Sequence, residues 1–275
     1  MNNYASKLSI GSAQFGLNYG ITNKSGKVNH SNVSKILELA KKNKVNHIDT
    51  AISYGDSESI LGKVGVKDFR ISTKLPPLLC NDSNFYNLIK EMMLESISRL
   101  KINRLDSVLL HRPEDLIGSR GRNIKNALLK LKSEGLVDKI GISIYSPSIL
   151  DNISCIKDLD IVQSPLNVFD QRIIDSGWLP KFKDLNIIFH ARSIFLQGLL
   201  LSNQNNIPIY FDKWKNKFKA WEDFIIHNNI SKLNAAIKFV NEINEVDRLI
   251  IGFEDQDQFM QCIDGFRSTV KYKIN

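Results

Sequence analysis

Short apolar runs rich in Ile, Val and Leu alternate with longer stretches of helical periodicity from one end of the chain to the other. Eight runs read as strands: LSIGSA at 8–13, VNHIDT at 45–50, FRISTKL at 69–75, LDSVLLH at 105–111, KIGISI at 139–144, DIVQSPL at 160–166, NIIFHARS at 186–193 and RLIIGF at 248–253. Apolar positions three and four apart predict helices over 31–43, 57–65, 85–101, 122–135, 147–157, 171–182, 232–243 and 257–266. Ser31, Ser57 and Ser83 stand where an N-cap oxygen would take free backbone N–H groups, and Gly135 follows a last turn. Strands that alternate with helices imply a parallel sheet covered by helices, and eight such units are what a closed barrel needs. The predicted fold is therefore α/β, a (β/α)8 TIM barrel. No Pro, Gly or Ser linker and no repeat divides it, so residues 1–275 read as a single domain. The stretch 199–229 is longer than a strand-to-helix connection needs. Following the seventh strand, it is expected at the end of the barrel where chemistry takes place, as part of a substrate pocket.

Composition adds constraints rather than a function. With 43% hydrophobic and 24% charged residues, the 275-residue chain has material for a sizeable core and is not broadly disordered. The net charge of +8, from 37 Lys and Arg against 29 Asp and Glu, raises nucleic acid as a partner, but the basic residues are spread along the chain. The densest run, FDKWKNKFKAW at 211–221, sets aromatics between lysines in the manner of a single-strand binding strip. Phe211, Trp214, Phe218 and Trp221 also recur at the spacing of an ordinary amphipathic helix, so no nucleic acid is expected as a partner. Cys80, Cys155 and Cys262 are odd in number and lack CxxC spacing, which suggests neither a disulfide framework nor a metal site. No leader pattern opens the chain and no apolar run approaches the roughly 18 residues that span a bilayer. The expected location is cytoplasmic, with no membrane partner. The segment GSAQFGLNYG at 11–20 lacks GxGxxG spacing, so a Rossmann dinucleotide site is not supported.

The informative chemistry begins with HIDTAISYGDSESILG at 47–62, where an apolar strand ends in Asp49 and a polar turn with Tyr54 and Gly55 leads into a helix carrying Ser57, Glu58, Leu61 and Gly62. ISTKLP places Lys74 near the end of the third strand, and SVLLHRPED places His111 near the end of the fourth. Taken singly, a strand-end Lys is usually a solvated charge and a His after an apolar run usually a packed residue. In strand order, at these spacings, the set resembles the aldo-keto reductases over essentially the whole chain. The resemblance implies a nicotinamide dinucleotide across the barrel mouth and a catalytic set of Asp49, Tyr54, Lys74 and His111. Residues at the C-terminal ends of successive barrel strands do converge on one mouth. Carbonyl reduction needs a hydride on carbon and a proton on oxygen, and the nicotinamide supplies only the hydride. Tyr54 is the implied proton donor. A phenol ordinarily ionises near pH 10, so a cation, Lys74, is needed beside it, with Asp49 orienting that cation and His111 donating to the carbonyl oxygen.

The same resemblance implies cofactor contacts from Ser12, Ala13 and Asp49, and from Ser143 and Gln163 to the nicotinamide carboxamide. Ile144 stands where the family usually has Asn. Arg192, in ARSIFLQG, takes the place of an aromatic that stacks on the nicotinamide; its planar guanidinium can stack too, while bringing positive charge to cofactor or acidic substrate. Ser193, Leu196 and Gly198 are implied in a pyrophosphate loop, and Gly252, Glu254 and Gln258 in adenosine binding. Glu254 repels a 2′-phosphate and accepts from a ribose hydroxyl, which leans the expectation toward NAD over NADP or toward dual use; the alternative is that it merely opens a helix. GSAQFG and ARSIFLQG resemble a subgroup from surface-polysaccharide sugar pathways, implying a small carbonyl or sugar substrate. A non-catalytic dinucleotide-binding barrel that reports redox state to a partner is the competing reading.

Overall fold

A computed structural model describes residues 4–79 and 84–268. The eight expected runs form eight parallel strands: β1 (Leu8–Gly11), β2 (His47–Asp49), β3 (Arg70–Leu75), β4 (Leu105–Leu110), β5 (Val137–Ser143), β6 (Ile161–Pro165), β7 (Ile188–Arg192) and β8 (Arg248–Gly252). Each pairs with its sequence neighbours, and β1 pairs with β8 to close the barrel. The fold is a (β/α)8 TIM barrel, as the alternation predicts. The two-residue period of the strands divides their side chains. Ile10, Ile48, Ile71, Val108, Ile140 and Val162 belong to the hydrophobic core shared with the helices. Their neighbours Ser9, His47, Ser72 and Ser107, and likewise His190 on β7, are polar, fully or almost fully buried, and sit in the barrel interior.

The longer helices are α1 (His30–Lys42), α2 (Ser57–Val64), α3 (Phe85–Leu100), α4 (Gly118–Ser133), α5 (Trp178–Asp184), α6 (Lys215–Asn228), α7 (Lys232–Asn241) and α8 (Gln256–Arg267). In α1 the buried residues are Val33, Ile36, Leu37 and Ala40, the spacing of a one-sided apolar stripe. Gly135 lies just past α4 in the left-handed region, φ +76°, as expected of a residue that ends a helix.

Four local expectations are corrected. Asn29, not Ser31, caps α1 by accepting from the Asn32 N–H. Ser57 opens α2 without capping it, because its hydroxyl donates to the Ser12 carbonyl and approaches the Ser12 hydroxyl instead. The stretch 147–157 folds as two 3₁₀ turns, Pro147–Asn152 and Ile156–Asp158, and 171–182 is broken at Gly177, φ +71°, into Arg172–Asp175 and α5. The expected cap Ser83 and the thiol of Cys80 lie outside the described residues; Asn84 caps α3. Cys155 and Cys262 are free and buried. Phe218 and Trp221 are buried on α6, consistent with an amphipathic helix there, while 209–214 is a 3₁₀ turn. Among the described residues no helix is long and apolar enough to cross a membrane, and no cluster of His, Cys, Asp or Glu could hold a metal ion.

Candidate active site

Parallel pairing sets Asp49 beside Gly11 and Ser72, and Lys74 beside Leu109, so the C-terminal ends of β1 to β4 lie at one mouth. Asp49 and Lys74 are 3% and 1% exposed, and they form an ion pair through Asp49 Oδ2. Lys74 Nζ also donates to the Thr50 carbonyl at 2.9 Å, and Gln163 Nε2 donates to Asp49 Oδ1 at 2.8 Å. Burial pulls the Lys74 ammonium toward release of its proton, but the charges of Asp49 and Tyr54 and their hydrogen bonds outweigh it. The pKa is raised above the ordinary lysine value, so this buried cation stays charged.

Lys74 Nζ stands 5.1 Å from the centre of the Tyr54 ring, and the His111 ring meets the same ring edge-on at 5.9 Å, interplanar angle 76°. Tyr54 arrives on the turn after β2, and this turn is held by backbone contact with the loop after β1. At Gly55, φ +53°, a Cβ would fall 2.6 Å from the Gly16 carbonyl, and at Gly16 a Cβ would fall 1.8 Å from the Tyr54 carbonyl. Two glycines therefore fix the phenol's approach. His111 continues from β4, its N–H donating to the Leu75 carbonyl at 3.0 Å. Burial, and secondly the Lys74 charge, lower its pKa to about 4, so the imidazole is neutral at physiological pH.

A cleft of roughly 550 Å³ opens over this group. It runs from the barrel mouth, with Asp49, Tyr54, His111 and Arg192, past Ser12, Ala13, Ser193 and Gly198 to Gly252, Glu254 and Gln258 beyond β8. Lys74, Ser143, Gln163 and Leu196 are not among its lining residues. Ser143 Oγ donates to Gln163 Oε1 at 3.1 Å, while Leu196 packs on the satellite core of Leu200, Trp221, Ile225 and Ala235. Glu254 does not open α8; Asp255 does, accepting from the Gln258 N–H at 2.8 Å. Glu254 is half-buried, accepts from Gln14 Nε2 at 3.2 Å, and has its pKa raised by burial and then by the Asp255 charge. Of the 199–229 insertion, Leu201 and Ser202 line the cleft, and the Trp221 indole N–H donates to the Leu200 carbonyl at 2.9 Å, tying α6 to that wall.

The cleft also contains Gln14, Tyr19, Thr22, Tyr145, Phe195, Gln197 and Gln261, which sequence reasoning missed. Gln14 and Tyr145 are one and two residues from positions it named, and that adjacency was the available signal.

The model of the Aldo/keto reductase family matches residues 7–271. The uncharacterized oxidoreductase YqkF of Bacillus subtilis is 25% identical over 255 residues, which is 84% of this chain and 80% of that protein. The aldo-keto reductase YhdN of the same organism is 27% identical over 165 residues, 56% of this chain and 49% of its own length. Among solved structures, the aldo-keto reductase AKR11C1 from Bacillus halodurans superposes with a TM-score of 0.75 at 18% identity, covering 97% of this chain and 88% of that one. The glycerol dehydrogenase AKR11B4 from Gluconobacter oxydans gives 0.68 at 20% identity, covering 97% and 93%; likeness at this identity speaks for the fold. With the family model spanning the whole barrel, the chain belongs to the aldo-keto reductase family and is an oxidoreductase, of a family that generally uses NAD(P)H.

Proposed function

We propose that the protein interconverts a carbonyl, in an aldehyde, ketone or sugar, and the corresponding alcohol, with Tyr54 passing the proton. The observation that carries this reading is the buried Asp49–Lys74 pair 5.1 Å from the Tyr54 ring centre, with His111 edge-on to the same ring. A bound nicotinamide dinucleotide supplies or accepts the hydride. The charged Lys74 lowers the cost of negative charge on the Tyr54 oxygen as its proton moves to the substrate. Asp49 keeps Lys74 charged and aimed, and neutral His111 donates an N–H to the substrate oxygen as charge develops there. In the oxidative direction the same phenol oxygen acts as base.

The residues present fit an extended dinucleotide. The cleft has the volume of a cofactor or ligand site. Its β7 wall has left-handed backbone at Ser193, Gln197 and Gly198, and at Leu196 beside it, the kind of loop that presents amides to an anion. At Gly198 a side chain would strike Thr22 Oγ1 at 1.8 Å, so the meeting of the β1 and β7 loops requires glycine. Ser12, Ala13, Arg192, Ser193, Leu196 and Gly198 would hold the nicotinamide half and the phosphates, and Gly252, Glu254 and Gln258 the adenosine half. Ser143 and Gln163 would reach the carboxamide by sharing the hydrogen bonds they now make to each other and to Asp49. A half-buried carboxylate at Glu254 favours NAD over NADP, since it can accept from a ribose hydroxyl and repels a phosphate. The GSAQFG and ARSIFLQG motifs favour a sugar or nucleotide sugar as substrate.

Fluorescence titration with NADH and NADPH, followed by a screen of aldoses and simple aldehydes, tests the reading. Tyr54→Phe is expected to keep cofactor affinity and lose about 10²–10⁴-fold in kcat. Wild-type turnover of a good substrate by this variant would dismiss Tyr54 as the acid.

A further inference from the structure

Arg192 ends β7 in the wall of the cleft that holds Tyr54 and His111. Its Nη2 donates to the Ile144 carbonyl at 2.9 Å and its Nη1 to Ser193 Oγ at 3.3 Å, with the guanidinium carbon 4.4 Å from the centre of the Tyr145 ring. All of these partners are uncharged. Arg70, Arg99, Arg112 and Arg172 each hold a carboxylate, whereas among the described residues no Asp or Glu pairs with Arg192. The two carboxylates in the cleft are committed elsewhere: Asp49 to Lys74 and Gln163, and Glu254 to Gln14 beyond β8. A guanidinium has five donors in a fixed plane. Here the plane is held by the Tyr145 stack and two hydrogen bonds, and among the described residues the other donors have no protein partner. A half-buried cation held in place and, among the described residues, without a counter-ion is arranged for an anion from outside. Its charge reaches the reacting groups, contributing to the lowered pKa of His111 and opposing the raised pKa of Tyr19.

We propose that Arg192 determines substrate specificity by binding a carboxylate, so that oxo acids and acidic sugars are preferred over neutral carbonyl compounds. This rests on the carbonyl-reductase reading and deepens it by naming the charge of the substrate. The anion could instead be a phosphate of the cofactor, and the experiment separates the two.

The probes are 4-oxobutanoate and its methyl ester, which differ by one charge, tested on wild type, Arg192→Lys and Arg192→Met. Three quantities are read: the acid-to-ester ratio of kcat/KM, the Kd of NADH by fluorescence, and the calorimetric affinity of both probes for protein saturated with NAD⁺. In wild type the acid is expected to be favoured by about tenfold or more, the scale of a charge-assisted bidentate contact. The ratio should approach one in Arg192→Met and be intermediate in Arg192→Lys, with NADH affinity falling by a smaller factor than the ratio. Equal use of acid and ester by wild type, or a preference that survives in Arg192→Met, overturns the proposal. So does a loss of NADH affinity with an unchanged ratio, which would give the anion to the cofactor. If neither probe is reduced, the reductase reading loses support for this substrate pair. The calorimetric comparison still decides the role of Arg192, and no measurable binding of the acid overturns it.

Discussion

Lowering the pH from 8 to 5 should destabilise this barrel through two histidines inside it. His190 is 2% exposed, with no hydrogen-bond partner at Nδ1 among the described residues, and its ring meets that of His47 edge-on at 5.6 Å. His47 is fully buried between Ser9 Oγ, 2.7 Å from Nδ1, and Ser72 Oγ, 3.1 Å from Nε2. Burial, followed by the charges of Arg248, Lys74, Arg70 and Lys139, lowers the His190 pKa to about 3. His47 is also held well below the ordinary value, by burial first and the Arg248 charge second. In the unfolded chain each imidazole titrates near 6.5. Between the two values the unfolded chain takes up a proton that the folded chain refuses. The contribution of these histidines to stability is therefore constant above about pH 7 and falls as pH drops through 6.5 toward 3. For His190 alone the loss from pH 8 to pH 5 is about 2 kcal/mol, a substantial part of the roughly 5–15 kcal/mol that hold a typical domain together. His47 adds to it with the same sign. Urea unfolding followed by circular dichroism at pH 8, 7, 6 and 5 measures the effect, with His190→Gln as control. Whatever the variant's stability at pH 8, its loss on going to pH 5 should be smaller by about 2 kcal/mol. A flat wild-type profile over this range, or parallel profiles for the two proteins, would refute the reasoning.

Two further substitutions probe the mouth of the barrel. Lys74→Met leaves the Asp49 carboxylate buried with Gln163 as its remaining side-chain partner, and should cost about 3–5 kcal/mol in urea unfolding as well as turnover; a variant as stable as wild type would mean the pair is solvated in solution. Glu254→Arg should raise NADPH affinity relative to NADH in fluorescence titrations, and an unchanged ratio would remove Glu254 from the choice of cofactor.

The strands are legible because barrel strands turn one set of residues, such as Ile10, Ile48 and Val108, to the helices, which leaves apolar material in every run. The polar residues between them misdirect. Alternation of the kind seen at Ser9, His47, Ser72 and Ser107 normally marks a face in water, yet here it marks a closed interior where hydroxyl and imidazole groups satisfy one another. Caps are less legible because tertiary contacts compete for the same hydroxyl, as when Ser57 turns to Ser12. The 147–157 stretch has helical spacing and is anchored on the core, yet its first turn ends at Ile153, whose backbone is extended, before a second turn at Ile156–Asp158. Asp49, Tyr54, Lys74 and His111 can be found from sequence because strand order fixes which strand ends are neighbours. Tyr19, Thr22 and Tyr145 reach the cleft on loops, and the path of a loop depends on close approaches such as those at Gly16, Gly55 and Gly198.

The polar interior and the mouth are electrostatically one system, with Lys74 between them. Its charge helps lower the pKa of His111 above it and of His190 below it, while the charge of Asp49 works in the opposite sense on His111. A barrel interior with an uncompensated ammonium would be costly, and one with an uncompensated carboxylate would draw protons onto the nearby imidazoles. The Asp49–Lys74 pair avoids both, because Gln163 and the Thr50 carbonyl satisfy what the pair leaves open. His111, its pKa lowered to about 4 by burial first and the Lys74 charge second, remains neutral at physiological pH. On the proposed chemistry this matters as much as the tyrosine: a neutral imidazole polarises the substrate oxygen without delivering its own proton, and the phenol beside the ammonium is left as the group that does.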